Sequence, residues 1–170
     1  MKKESDLHRQ IREDLLDKLG DICGRGDIEE YYWSHDVAGD IRFYNHACEK
    51  RIFLAQPDIV VIDKNGRVLV IGIELTNTPK HLFGVVSTIN SSSIGKFSRK
   101  NIDLSSKSML LVLNFDDIPK KGSCKQTQID SLRCLIEEST DFEFFDIISD
   151  TEAIDKIYCW LGDENDVVEI

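Results

Sequence analysis

Apolar residues recur along this chain with two periods, and the period changes from segment to segment. In "SDLHRQIREDLLDKLG" (5–20), Leu7, Ile11, Leu15, Leu16 and Leu19 fall at helical spacing, with Ser5 placed to cap the helix and Gly20 to end it. Residues 21–50 hold Tyr31, Tyr32, Trp33, Phe43 and Tyr44 but keep neither period, and they read as irregular. "RIFLA" (51–55) reads as a short strand and "DIVVID" (58–63) as a strand rich in β-branched residues. "KNGR" follows, with the Asn-Gly pair of a tight hairpin turn. "VLVIGIELT" (68–76) is too apolar to keep one face in water, which makes it a central strand.

Pro79 stops that strand and suits the first turn of a helix, so "KHLFGVVSTI" reads as helical. The Ser-rich, basic stretch 90–108 reads as a loop with room for a helix. "MLLVLNF" (109–115) is a buried strand, "QTQIDSLRCLIEE" (126–138) a helix, "FEFFDIIS" (142–149) a strand, and "TEAIDKIYCWLG" (151–162) a last helix opened by Thr151. The order predicts an α/β domain with a mixed sheet flanked by helices.

The length, 170 residues, fits a single domain with a core of its own. No run approaches the ~18 apolar residues of a membrane span. The start, "MKKESDLHRQ", stays polar where a signal peptide turns apolar. A soluble, cytoplasmic protein with no membrane partner is expected. The five cysteines (Cys23, Cys48, Cys124, Cys134, Cys159) are scattered and odd in number, as reduced thiols are. His46 and Cys48, with Cys23 and His35 upstream, can be drawn as a zinc site, but no C-x-x-C pair anchors it.

A net charge of −10 argues against a simple electrostatic binder of nucleic acid. The charge is uneven, however. Residues 79–125 hold 8 basic and 3 acidic side chains, while 126–170 hold 2 and 13. Phosphate attraction fades within a Debye length of ~8 Å, so a basic face can act on an acidic body.

Two acids sit where the hairpin strands are otherwise apolar: Asp58 at the start of the first and Glu74 near the end of the second. Taken singly, each reads most simply as structural, Asp58 bonding local N–H groups and Glu74 facing a lysine. A turn centred between Asn65 and Gly66 sets Asp58 nearly opposite Ile73, one position from Glu74. A bulge or twist then brings both carboxylates to one place. Two ionised carboxylates that close repel each other and invite a cation, and oxygen-only ligands favour Mg²⁺ or Mn²⁺.

Pro57-Asp58, a hairpin, and then Glu74-Leu75-Thr76 resemble the PD-(D/E)xK nuclease superfamily, the restriction-endonuclease-like fold. The resemblance covers the αβββαβ run from about residue 5 to 115. It implies a Mg²⁺- or Mn²⁺-dependent nuclease hydrolysing phosphodiester bonds in DNA, of restriction or repair type. Asp58 and Glu74 would hold the metal, the Leu75 carbonyl would be a third ligand, and Glu13 on the first helix is a candidate fourth. The family's lysine falls where Thr76 stands, and Lys80 is the nearest lysine that could replace it as a catalytic residue. Lys96, Arg99, Lys100 and Lys107 would hold phosphates, with Ser91–Ser93 adding neutral contacts. Specific recognition of DNA by so short a chain would call for a homodimer.

Two other readings stand beside this one. The first is a catalytically inactive nucleic-acid-binding or interaction domain of the same fold. The second is an α/β enzyme acting on a small acidic ligand, with Glu74 as general base. No glycine-rich phosphate loop supports that last reading. His81, beside Lys80, could assist at the site or stand on the helix surface.

Overall fold

The computed structural model describes residues 5–34, 40–45 and 52–162. Among them the chain runs α1 (Asp6–Gly24), β1 (Ile28–Trp33), β2 (Arg42–Asn45), β3 (Ile52–Ala55), β4 (Ile59–Asp63), β5 (Val68–Glu74) and α2 (Pro79–Asn90). It continues with β6 (Ile94–Phe97), β7 (Lys100–Asp103), β8 (Ser108–Leu113), a 3₁₀ turn (Phe115–Asp117), α3 (Cys124–Ser139), β9 (Phe145–Ser149) and α4 (Ala153–Leu161). No helix is long and apolar enough to cross a membrane.

A five-stranded mixed sheet, in the order β1-β4-β5-β8-β9, forms the centre. β4 pairs antiparallel with both β1 and β5, and β8 and β9 run parallel to β5. Strand alternation sends Ile59, Val61, Leu69, Ile71 and Ile73 to one face, where Ile11, Leu15, Leu19 and Ile22 of α1 and Ile157 and Trp160 of α4 cover them. Val60, Val68 and Val70 face the other way, under Leu82, Val86 and Ile89 of α2 and Ile129, Leu132 and Ile136 of α3. β5 is buried along nearly its whole length, as its lack of polar positions requires.

A second, four-stranded sheet lies on the α2 side, in the order β3-β2-β6-β7. Its strands come from two separate stretches of chain: β2 and β3 from between β1 and β4, β6 and β7 from between α2 and β8. Phe43 and Ile102 carry its inner face into the core, and Gly95 lies under the Phe43 ring so closely that a Cβ there would come within 3.1 Å of it. Buried Lys107 ties this sheet to α2: its ammonium donates to the carbonyls of Asn90, Ser92 and Leu104 at 3.2, 2.9 and 2.9 Å.

The structure departs from the sequence reading in several places; among them, α4 opens at Ala153 with Glu152, not Thr151, before it. Ser5 does cap α1, accepting from the His8 N–H, but the helix runs through Gly20 to Gly24, and a Cβ at Gly20 would lie 3.4 Å from the Tyr31 hydroxyl. The stretch read as irregular holds β1 and β2. The Ser-rich stretch is the β6–β7 hairpin rather than loop or helix, with Ser98 at φ 53 in its turn. The central hairpin turns through Lys64, Asn65 and Gly66, with Gly66 at φ 80, so it is one residue longer than the tight turn expected. Asp63 fastens that turn by accepting from the N–H groups of Asn65 and Arg67 and from Arg67 Nε.

Candidate functional site

The longer turn shifts the hairpin register by one. β4 and β5 pair Ile59 with Ile71 and Val60 with Val70. Continued outward, that register sets Asp58 opposite Gly72, not Ile73. Glu74 lies two residues beyond Gly72 and therefore on the same face as Asp58. The two acids are diagonal neighbours without any bulge. Gly72 stands between them with no side chain, and all three line one cavity of about 210 Å³. At roughly 10–15 Å³ of such space per water, that is ample room for an ion with its waters. Leu54, Ala55, Val85 and Thr88 contribute walls from β3 and α2.

Each carboxylate is anchored on one side by a histidine. Asp58 Oδ2 accepts the N–H of Ile73 at 2.7 Å, taking over a place in the ladder just past the end of β4. Its Oδ1 lies 3.0 Å from Nε2 of His8, in the first turn of α1. Glu74 Oε2 lies 2.7 Å from Nε2 of His81, in the first turn of α2. Glu74 Oε1 has no protein partner among the described residues. Burial pushes the Glu74 carboxyl up from its ordinary value; the His81 hydrogen bond and charge pull it back, and the Asp58 charge adds to the rise.

The first turns of two helices therefore meet at the C-terminal end of β5, where open α/β sheets place their ligand sites. Nothing in the pattern of α1 pointed to His8. Its apolar spacing says which face is buried, but its meeting with Asp58 joins positions far apart in the chain.

The other expected residues are dispersed. Leu75 follows Glu74 and packs toward the α1–α4 core. Thr76, at the lysine position, accepts from the Thr78 N–H and bonds its hydroxyl, shaping the turn into α2. Lys80 is exposed and borders a groove between α2 and α3, with Thr127, Ser131 and Leu135 opposite. Glu13 lies on the exposed side of α1. Lys96 is on β6, level with Arg42, and Arg99 is in the β6–β7 turn. Lys100 pairs with Glu30 and stands 5.5 Å over the Tyr32 ring. Lys107 is only 6% exposed, and with its ammonium committed to three carbonyls it offers no donor to a phosphate. Ser92 is buried and Ser93 donates to the Tyr44 carbonyl, so these serines join α2 to the second sheet. Of the drawn zinc ligands, His35, His46 and Cys48 fall outside the described residues, and the Cys23 thiol lies 3.9 Å from the Glu29 carbonyl.

Among the described residues no three His, Cys, Asp or Glu side chains converge as a metal cage. The donor set at the cavity is the two carboxylates, with Glu74 Oε1 open, an oxygen set that fits a hard ion keeping much of its water.

No family model, curated protein or solved structure matches the chain.

Proposed function

We propose that this protein is a metal-dependent nuclease that hydrolyses phosphodiester bonds in DNA. The observation that carries the reading is the pairing of Asp58 with Glu74 across Gly72, two acids facing one small cavity at the end of an otherwise apolar hairpin. The order α1, β1, β4, β5, α2, β8 supports it, being the αβββαβ order of the PD-(D/E)xK core with the second sheet inserted into it. Mg²⁺ or Mn²⁺ held by Asp58 and Glu74, with the Leu75 carbonyl as a further ligand, would supply an activated water and charge neutralisation at the phosphate.

The chain's own residues do the rest. Asp58 is held in place by the Ile73 N–H at Oδ2, and an ion at Oδ1 would take the place His8 occupies there. Glu74 presents Oε1 to the cavity while His81 fixes Oε2. The basic group near the attacking water comes from the first turn of α2. His81 is already at Glu74; Lys80, one position earlier, reaches the cavity only by turning away from the α3 groove. Either supplies a proton acceptor or positive charge that Thr76 lacks.

A second reading is a nucleic-acid-binding domain of the same fold without catalysis. Thr76 in the lysine position, the exposed Lys80 and the two imidazoles resting on the carboxylates favour it. Incubating the protein with supercoiled plasmid and with short duplex and single-stranded DNA, in Mg²⁺ or Mn²⁺ and in EDTA, separates the two. Cleavage that needs the ion and is lost in Asp58→Asn supports the nuclease. Ion-independent binding with no cleavage of any form supports the second.

A further inference from the structure

We infer that the outer face of the β3-β2-β6-β7 sheet is a platform for single-stranded DNA, on which bases stack against Phe53 and phosphates meet Arg42, Lys96 and Arg99. This rests on the nucleic-acid reading above and names the form of the substrate.

Strand register defines the face. Phe43, Gly95 and Ile102 are level with one another and point into the core. The alternate positions therefore point outward: Arg42, Lys96 and Asn101 in one row, Tyr44, Ile94 and Asp103 in the next. Phe53 pairs with Tyr44 and meets its ring edge-on, with centroids 5.9 Å apart. With one edge against Tyr44, Phe53 is still 54% exposed, which leaves ring surface open to a stacking partner. The aromatic and basic rows run side by side, spaced as alternate strand positions are, ~7 Å apart.

Charge selects the occupant. In a chain of net charge −10, Arg42, Lys96 and Arg99 have no ion-pair partner among the described residues. Lys100, by contrast, is spent on Glu30 and points to the inner side. Among the described strand residues of the outer face one is a carboxylate, Asp103 at its far end, and it is engaged by the Ser105 N–H. Unpaired cations beside an exposed aromatic ring fit a polyanion with flat faces. A duplex hides its bases inside the helix, so only a single strand can use both rows at once.

The face also leads to the carboxylates. β3 carries Phe53 outward, and its next residues, Leu54 and Ala55, line the cavity that holds Asp58 and Glu74. A strand lying over Phe53 passes the edge of that cavity.

The test is fluorescence polarisation with labelled ~12-mers, oligothymidylate, oligouridylate and a duplex, all in EDTA so that no cleavage intervenes. Oligothymidylate should bind more tightly than the duplex. Phe53→Ala should weaken it at least ~5-fold while Phe53→Trp retains it. Lys96→Ala should lower the salt slope by about 0.7. Phe53 is outside the core, so thermal melts of these variants should match the parent. Binding to the duplex that equals or exceeds binding to the single strand, or an unchanged affinity in Phe53→Ala, overturns the inference. Preference for oligouridylate overturns the assignment to DNA, and no binding to any of the three overturns it outright. Phe53-dependent binding without cleavage in Mg²⁺ or Mn²⁺ would remove the catalytic proposal and leave the platform standing.

Discussion

His81 holds Glu74 across a turn: its Nε2 lies 2.7 Å from Glu74 Oε2, because Pro79 starts α2 right after the strand and folds its first turn back over the strand's end. The contact singles out His81 over Lys80 as the group beside the carboxylates. In cleavage assays His81→Ala should lower kcat by ~100-fold with DNA affinity little changed, the mark of a contact made in the transition state. Lys80→Ala should cost less than ~5-fold. The reverse ranking would restore Lys80 to the lysine's role.

Glu74 links stability to pH and to metal. Its folded pKa is raised above the ordinary 4.5, by burial first, so the folded chain holds this proton more tightly than the unfolded chain. The group's contribution to stability is then fully present below the unfolded pKa and is lost as pH rises through the folded one. Glu74→Gln escapes that loss. In EDTA its Tm should exceed the parent's at pH 7, and the gap should close toward pH 4. Adding Mg²⁺ or Mn²⁺ should raise the parent's Tm and leave Glu74→Gln unmoved. Equal melts at pH 7 in EDTA would show that the buried charge costs nothing.

Asp58 combines a backbone duty with the proposed metal duty, and two substitutions separate them. Asparagine keeps an oxygen for the Ile73 N–H and loses the charge, so Asp58→Asn should melt near the parent and cut no DNA. Asp58→Ala leaves that N–H without an acceptor and should cost about 1–3 kcal/mol in a denaturant titration. A full-strength cutter in Asp58→Asn would move the active site elsewhere.

Lys107 and Lys96 should behave as opposites. Lys107→Met leaves the Asn90, Ser92 and Leu104 carbonyls without their donor and should lose at least ~2 kcal/mol of stability. The salt dependence of DNA binding should not change. Lys96→Ala should spare stability and flatten the salt dependence. A flattened salt slope in folded Lys107→Met would mean that its ammonium reaches phosphate after all.

The central hairpin could be read from sequence because β4 and β5 are covered on both faces, and "DIVVID" and "VLVIGIELT" have almost no other use. β1 could not: Glu29 and Glu30 interrupt it, and as an edge strand it needs little apolar pattern. β6 and β7 are four residues each, too short for a period to show, and are held by pairing with β2 and by Phe43 over Gly95. The acids at the site were visible as exceptions to a local pattern. Their register was missed by one position because Asn-Gly is used here at the end of a longer turn. His8 carried no signal, since its role depends on a tertiary contact with Asp58, far along the chain.

The smaller sheet has a consequence for trimming and grafting. Its two halves enter the chain at different points, yet β2 and β6 share the ladder that joins them. Excising 94–103 would strip β2 of its inner neighbour and leave a two-stranded remnant with a raw edge, a marginal structure and an aggregation template. Excising the β2–β3 stretch would do the same to β6. The two stretches therefore stand or fall together as one folding unit, and a minimal version of this protein must omit both or neither.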